Sequence, residues 1–355
     1  MKWKELSPKL LGALIKKDIQ AEDGSILIKK NSILSTNIIS YLLKNNIKKV
    51  PVSFLKLDNE LLLQMERFIV KSKQPLFWEE YINTIEETKV FFTLLEEGAI
   101  ENPEPLLLKI HNLIALLEDE KEFFEFAYSV EGCSDSLYRH SVNVSIVSFL
   151  LGNLHTLIES NTLLSQMGYI HDIGKVKLDK NILNKPDSLT TEEKFHIQAH
   201  TLLGERLLKS IGVYKKELLD SALLHHESLH GDGYPNKIPK ESIPINVQVI
   251  STADVFDTLC SDRVYKKRDS MFESLNKLYF DSIYGILNPI IVFPWIEYMY
   301  EMYLNEYVIL SDGSIGKIYY LNPKDIIRPI IELDNDTFLD LSQQRDLYVV
   351  DYYKN

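Results

Sequence analysis

The run His171-Asp172-Ile173-Gly174-Lys175 puts an imidazole, a carboxylate and an ammonium within one helical turn. Neighbouring positions on a helix diverge by about 100°, so His171 and Asp172 can both turn toward one cation. Asp172 has two oxygens and can bridge two cations. Lys175 lies one turn beyond His171, close enough to face a bound anion, and Gly174 leaves that anion room. A His-Asp pair alone carries no information; its surroundings do. His140 stands upstream in Tyr138-Arg139-His140-Ser141-Val142-Asn143-Val144. Downstream come His200, the pair His225-His226 followed by Glu227, and Asp254 in Ser251-Thr252-Ala253-Asp254. Nitrogen and carboxylate donors without thiolates suit iron, manganese or zinc. Five histidines and two aspartates are too many for one ion and about right for two. All nine histidines fall between His111 and His230, about a third of the chain, and such crowding of a metal-binding, proton-carrying residue calls for a site.

Each of these residues also has a plainer reading. A lone histidine is usually a hydrogen-bonded core or surface residue, and that reading holds for His111, His155 and His196. His196 and His200 stand at i, i+4 like a zinc pair, but only His200 is followed four residues on by a glycine, Gly204. His230 reads as a loop residue before Gly231. Asp257, one turn from Asp254, reads as a support for a ligand rather than a ligand.

These residues need a scaffold, and from Leu106 to about Tyr303 the pattern is mostly helical. Leu137, Val144, Val147, Leu151 and Leu154 form a 3.6-residue stripe. Residues 10–53 read as a small mixed module. Asp23-Gly24 turns between two short strands within Ile19 to Ile28, Ser35 caps a helix through Leu43, and Ile47 to Val52 is a further strand. Helical spacing runs through 58–98 (Leu61, Met65, Phe68, Ile69), and Asn102-Pro103-Glu104-Pro105 is a break. The tail turns β-like at Tyr307 to Leu310, Ile315 to Tyr320, Pro329 to Leu333 and Leu347 to Tyr352, with a turn at Ser311-Asp312-Gly313. The expected fold is mainly α. A small α+β N-terminal module spans 1–57, a helical linker 58–103, a helical-bundle catalytic domain 104–303 and a β-rich C-terminal tail 304–355.

The chain has 355 residues and a formal charge of −12, from Lys+Arg 39 against Asp+Glu 51. That balance argues against a long nucleic-acid or membrane-surface partner, both of which want a basic surface. The segment 261–268 runs the other way: Arg263, Lys266, Lys267 and Arg268 against Asp262. Two divalent cations, Lys175 and this segment would gather positive charge where a small anionic substrate could sit. Two cysteines cannot make a disulfide framework, and no segment reaches the ~18 uncharged apolar residues of a membrane span. The apolar run Leu10 to Ile15 is too short for a signal-peptide core and is followed by Lys16 and Lys17. A cytoplasmic protein is expected.

The order His140 … His171-Asp172 … Asp254 resembles the HD-domain phosphohydrolase superfamily. The stretch His225-His226-Glu227 … Gly231-Asp232-Gly233-Tyr234-Pro235 narrows the resemblance to the HD-GYP family. Ala253-Asp254-Val255-Phe256-Asp257 and Asp262-Arg263-Val264-Tyr265-Lys266 are similar to that family's later motifs, and the likeness covers roughly 125–290. It implies an HD-GYP helical bundle that hydrolyses cyclic di-GMP to linear pGpG, GMP or both through a metal-bridging hydroxide. By that resemblance His171, Asp172 and Asp254 hold one metal, with His140 completing it or serving a third. His200, His225 and His226 hold the second, with Asp172 bridging. Some members have a glutamate one turn before the first histidine that supports a third metal. Ser136 stands there, preceded by Asp135, so two ions are expected, iron or manganese.

The resemblance further implies that Asp172 and Lys175 are catalytic and that Lys175, Arg263 and Lys266 grip substrate. The GYP turn, with Gly233, presents Tyr234 at the mouth. That loop also suggests a diguanylate cyclase (GGDEF) domain as partner. Two alternatives stay open: a module that binds cyclic dinucleotide or protein with little turnover, and a phosphodiesterase for cyclic GMP-AMP. The oligomeric state, a dimer included, is open as well.

Overall fold

A computed structural model describes all residues except 1, 11, 22, 31, 55–56, 100–101, 131–134, 157, 263–267, 334–336 and 354–355. In the N-terminal module, strands β1 (Lys2–Glu5), β2 (Ala13–Ile15), β3 (Ile19–Gln20) and β4 (Ile26–Ile28) precede helix α1 (Thr36–Lys44) and strand β5 (Lys49–Phe54). The Ser35 hydroxyl accepts the Ile38 amide at 3.1 Å and caps α1, as the sequence predicts. β5 lies between β1 and β2, antiparallel to both, while β3 and β4 form a separate hairpin. β1 and β2 are not predicted by sequence alone, since each is short and finds its partner some 40 residues away. The module buries its own core, including Ala13, Ile15, Leu34, Leu42, Val50 and Val52.

The predicted helical stretch after it divides into α2 (Asn59–Ile69) and α3 (Pro75–Glu96). The prolines at 103 and 105 act as a helix start, opening α4 (Glu104–Ile114), because a first turn needs no amide from proline. The rest of the helical region comprises α5 (Glu120–Ala127), α6 (Ser136–Asn153), α7 (Asn161–Ile170), α8 (Lys180–Leu183), α9 (Thr191–Gln198), α10 (His200–Ser210), α11 (Lys216–Leu224), α12 (Ile245–Cys260), α13 (Met271–Ile283) and α14 (Pro289–Glu301). α6 is central: every residue from Arg139 to Ser148 is buried, so its histidine is reached only from inside the bundle. Phe123, Phe124, Phe256 and Trp295 pack beneath it in edge-on pairs such as Phe256–Trp295, centroids 5.4 Å apart.

The tail forms one antiparallel sheet in the order β10-β6-β7-β8-β9 from β6 (Tyr307–Leu310), β7 (Ile315–Tyr320), β8 (Ile330–Leu333), β9 (Thr337–Asp340) and β10 (Val349–Tyr352). β9 has no counterpart among the predicted strands. Unlike the N-terminal sheet, this one shares its core with the helices through Val308, Leu310, Ile318, Ile331 and Val349. The observed architecture is mainly α, with a small sheet-bearing unit at each end.

A junction at the foot of α6 ties the segment after the N-terminal module to the bundle. Asp135, in a left-handed backbone conformation (φ 56°), begins α6. Its carboxylate accepts the Asp58 amide at 2.9 Å and pairs with Lys89 of α3 at 2.8 Å. Among the described residues, no helix is long and apolar enough to cross a membrane.

Candidate metal centre

Five helices bring the seven candidate ligands together. His140 comes from the second turn of α6, His171 follows the last turn of α7, His200 opens α10, His225 and His226 follow α11, and Asp254 lies in α12. The His-Asp pair is therefore not inside a regular helix. His171 is the C-cap of α7, and Asp172 (φ −96°, ψ 8°) leads into a 3-10 turn over Ile173–Lys177. The divergence of the two side chains comes from that change of winding.

Their donor atoms form two groups: His140, His171 and Asp254, and Asp172, His200, His225 and His226. Within each group the atoms lie within 4.8 Å of one another. Asp172 joins them. Its Oδ2 is 3.3 Å from His140 Nε2 and 3.5 Å from His171 Nε2; its Oδ1 is 3.3 Å from His200 Nε2 and 3.6 Å from His225 Nε2. Asp254 Oδ1 lies 3.1 Å from His140 Nε2 and 3.7 Å from His171 Nε2.

The outward face of each ring fixes what the inward face can do. His171 Nδ1 is 2.7 Å from the Gly168 carbonyl, His200 Nδ1 2.7 Å from Ile197 and His225 Nδ1 2.8 Å from Ser221. A carbonyl only accepts, so each of these Nδ1 atoms carries the proton and each Nε2 presents a lone pair inward. His140 Nδ1 does the same to Asp257 Oδ2 at 2.6 Å, which puts Asp257 behind the ligand rather than among the ligands. The result is His140 Nε2 3.2 Å from His171 Nε2 and His200 Nε2 3.3 Å from His225 Nε2. Asp172 Oδ1 is buried without a hydrogen-bond partner. Inward lone pairs so close, beside a bare buried carboxylate oxygen, fit divalent cations between them.

Electrostatics divides the groups. Burial pulls His171 down, but Asp172 and Asp254 outweigh it and hold the ring above its usual value. On the other side burial dominates, with His225 pushed down to about 4 and His226 also lowered well below the ordinary range. Burial raises Asp172, yet Lys175 and His171 hold the carboxylate well below its usual value. Lys175 Nζ is paired directly with Asp172 Oδ2 and is the partly exposed member of that pair.

The glycines do work that spacing did not reveal. A Cβ on Gly174 would sit 1.9 Å from the His200 carbonyl oxygen and 2.5 Å from the Gly204 amide nitrogen. Gly174 therefore lets the turn after Asp172 press against the start of α10; it does not clear a path for an anion. Gly233 likewise packs into its own hairpin, where a Cβ would be 2.3 Å from the Ser228 amide nitrogen. Tyr234 stands beside the cluster, its ring stacked on His226 with centroids 4.7 Å apart. His111, His196 and His230 are exposed and outside both groups. Arg263 and Lys266 lie outside the described residues; Asp262, which precedes them, accepts the Arg268 amide at 3.1 Å. Glu227 was not singled out from sequence, although it follows the histidine pair directly.

Residues 147–282 match the model of a family described as HD domain. A 3'3'-cGAMP-specific phosphodiesterase of Vibrio cholerae is 33% identical over 163 residues, covering 44% of this chain and 31% of that protein. A cyclic di-GMP phosphodiesterase of Pseudomonas aeruginosa is 28% identical over 166 residues, covering 47% of this chain and 40% of that protein. The chain thus spans well under half the length of these curated relatives. Among solved structures, an HDG"Y"P protein from Bdellovibrio bacteriovorus superposes with a TM-score of 0.53 at 15% identity, over 82% of this chain and 98% of that one, a likeness of fold. The HD-domain match spans six of the seven candidate ligands, from His171 to Asp254, and the order of the histidine and aspartate motifs is similar to that of the HD-GYP phosphodiesterases.

Proposed function

We propose that the chain is a metal-dependent phosphodiesterase that opens cyclic di-GMP to pGpG, GMP or both. The observation that carries this reading is the pair of ligand groups sharing Asp172, one carboxylate oxygen toward each. Two divalent cations, iron or manganese, held there by His140, His171 and Asp254 and by His200, His225 and His226, would acidify a water and offset phosphoryl charge. The chain's own part is positional. Asp172 sets the spacing of the two sites, and Asp257 and three carbonyls keep Nε2 as the donor of four rings. Lys175, which rests on Asp172 at the edge of the cluster, would offer its ammonium to a phosphoryl oxygen. Tyr234, Arg263 and Lys266 complete the substrate contacts in this reading. The use of Asp135 by Lys89 and Asp58 supports two ions rather than three.

Cyclic GMP-AMP is the second candidate substrate, favoured by the name of the Vibrio cholerae relative. The reading implies a cytoplasmic protein, and a diguanylate cyclase domain as a partner at the GYP loop. The test is anaerobically prepared protein assayed for bound metal and, on the same sample, for products from cyclic di-GMP and 3'3'-cGAMP. About two iron or manganese ions with turnover of either dinucleotide is expected; a fully loaded protein that hydrolyses neither overturns the reading.

A further inference from the structure

His226 differs from the other four histidines. Among the described residues no hydrogen bond fixes its ring, and its Nδ1 is 3.9 Å from Asp254 Oδ2, beyond hydrogen-bond reach. What holds it is the hairpin that follows. The chain leaves His226, turns at Gly231 (φ 85°), and returns so that the Tyr234 amide donates to the His226 carbonyl at 3.1 Å. The Tyr234 ring then lies on the His226 ring, interplanar angle 29°.

Glu227 closes that hairpin. It is 5% exposed, and its carboxylate accepts three consecutive backbone amides. Oε1 takes Asn236 at 2.7 Å and Lys237 at 3.1 Å, and Oε2 takes Ile238 at 3.2 Å. A buried carboxylate keeps its charge at low cost only when such donors are aimed at it, and charge-assisted bonds are stronger than neutral ones. Here the donors belong to the return limb of the hairpin, which has Lys237 in a left-handed conformation (φ 53°). The bonds therefore tie residues 236–238 to the residue next to His226, with Tyr234 held between.

We propose that Glu227 is a positioning residue. By anchoring the 226–238 hairpin it fixes the His226 ring, and so sets cation affinity at the His200–His225–His226 side without changing the His140–His171–Asp254 side. This deepens the reading above and rests on it for the catalytic consequence, while its metal-binding part stands apart from turnover.

The experiment titrates manganese into the full metal-free chain, wild type, Glu227→Ala and Glu227→Gln, counts ions per chain, and measures kcat and KM for cyclic di-GMP. Glu227→Ala is expected to keep one site unchanged and to weaken the other by about 10–100-fold, with a fall in kcat larger than any change in KM. Glu227→Gln keeps Oε1 as an acceptor for Asn236 and Lys237, so it should recover most of that affinity. Two unchanged sites in Glu227→Ala overturn the proposal, as does equal weakening of both. Should Glu227→Ala not fold, Glu227→Asp, whose shorter side chain cannot reach all three amides, decides: one selectively weakened site supports the anchor, and two wild-type sites overturn it. A wild type that binds two manganese ions but turns over no dinucleotide removes the function and leaves the metal comparison standing.

Discussion

The two halves of the metal centre are built from different materials. His140, His171 and Asp254 come from α6, the end of α7 and α12, the tightly packed middle of the bundle, and Asp257 backs His140 from the same turn of α12 as Asp254. The other half starts from α10 and α11, but its last ligand, His226, is placed by a surface hairpin. Charge follows the same division: carboxylates hold His171 up, while burial and neighbouring imidazoles hold His225 and His226 down. One half is fixed by core packing, the other partly by a loop that solvent reaches. The proposal that the two halves differ in metal affinity rests on that difference in support.

The largest effect belongs to the residue the halves share. Asp172→Ala should abolish both bound ions and hydrolysis, measured by metal content and product chromatography; loss of only one ion would show that the halves do not depend on it equally. Next comes Lys175→Ala, which should keep both ions and slow turnover by roughly 10²–10³-fold, as for removal of one transition-state donor. Asp257→Asn should lower affinity by about 10–100-fold on the His140 side alone, read by manganese titration. It is the mirror of the hairpin variants. Gly174→Ala should cost about 2–3 kcal/mol in denaturant unfolding, because the obstacle is backbone and cannot turn aside.

The smallest effect is in pH. In metal-free protein His225 sits near pH 4, below its unfolded value, so the unfolded chain binds more protons between about 6.5 and 4. Stability from that half is complete above this window and falls as pH drops through it. His171, raised, contributes in the opposite sense, with stability present below about 6.5 and lost as pH rises. A melting-temperature profile of the metal-free chain should therefore fall on the acid side, and His225→Phe should flatten that fall.

Much of the candidate cluster is legible because type and order carry it: the structure brings together His140, the His171-Asp172 pair, His200, the His225-His226 pair and Asp254, and α1, β6 and β7 are found where caps and alternation put them. What escaped shares one cause. Gly174 meets Gly204, Glu227 meets the backbone amides of 236–238, and β1 and β2 meet β5, all contacts with main chain distant in sequence. A glycine or a glutamate shows its own chemistry in a sequence; it does not show whose amide it will meet. Lys175 shows the same limit, because its ammonium rests on Asp172, a pairing that the spacing of the two residues does not announce.

Asp135 gives the architecture a direction. Its carboxylate holds the Asp58 amide at the start of α2 and a lysine of α3, and it stands at the foot of α6. Five residues of helix, about 7–8 Å at 1.5 Å per residue, separate that foot from His140. The start of α2, the side of α3 and the foot of α6 thus meet at one carboxylate, on the well-packed side of the candidate centre. The interior half of the site is thereby fastened, through one carboxylate, to the segment that follows the N-terminal unit.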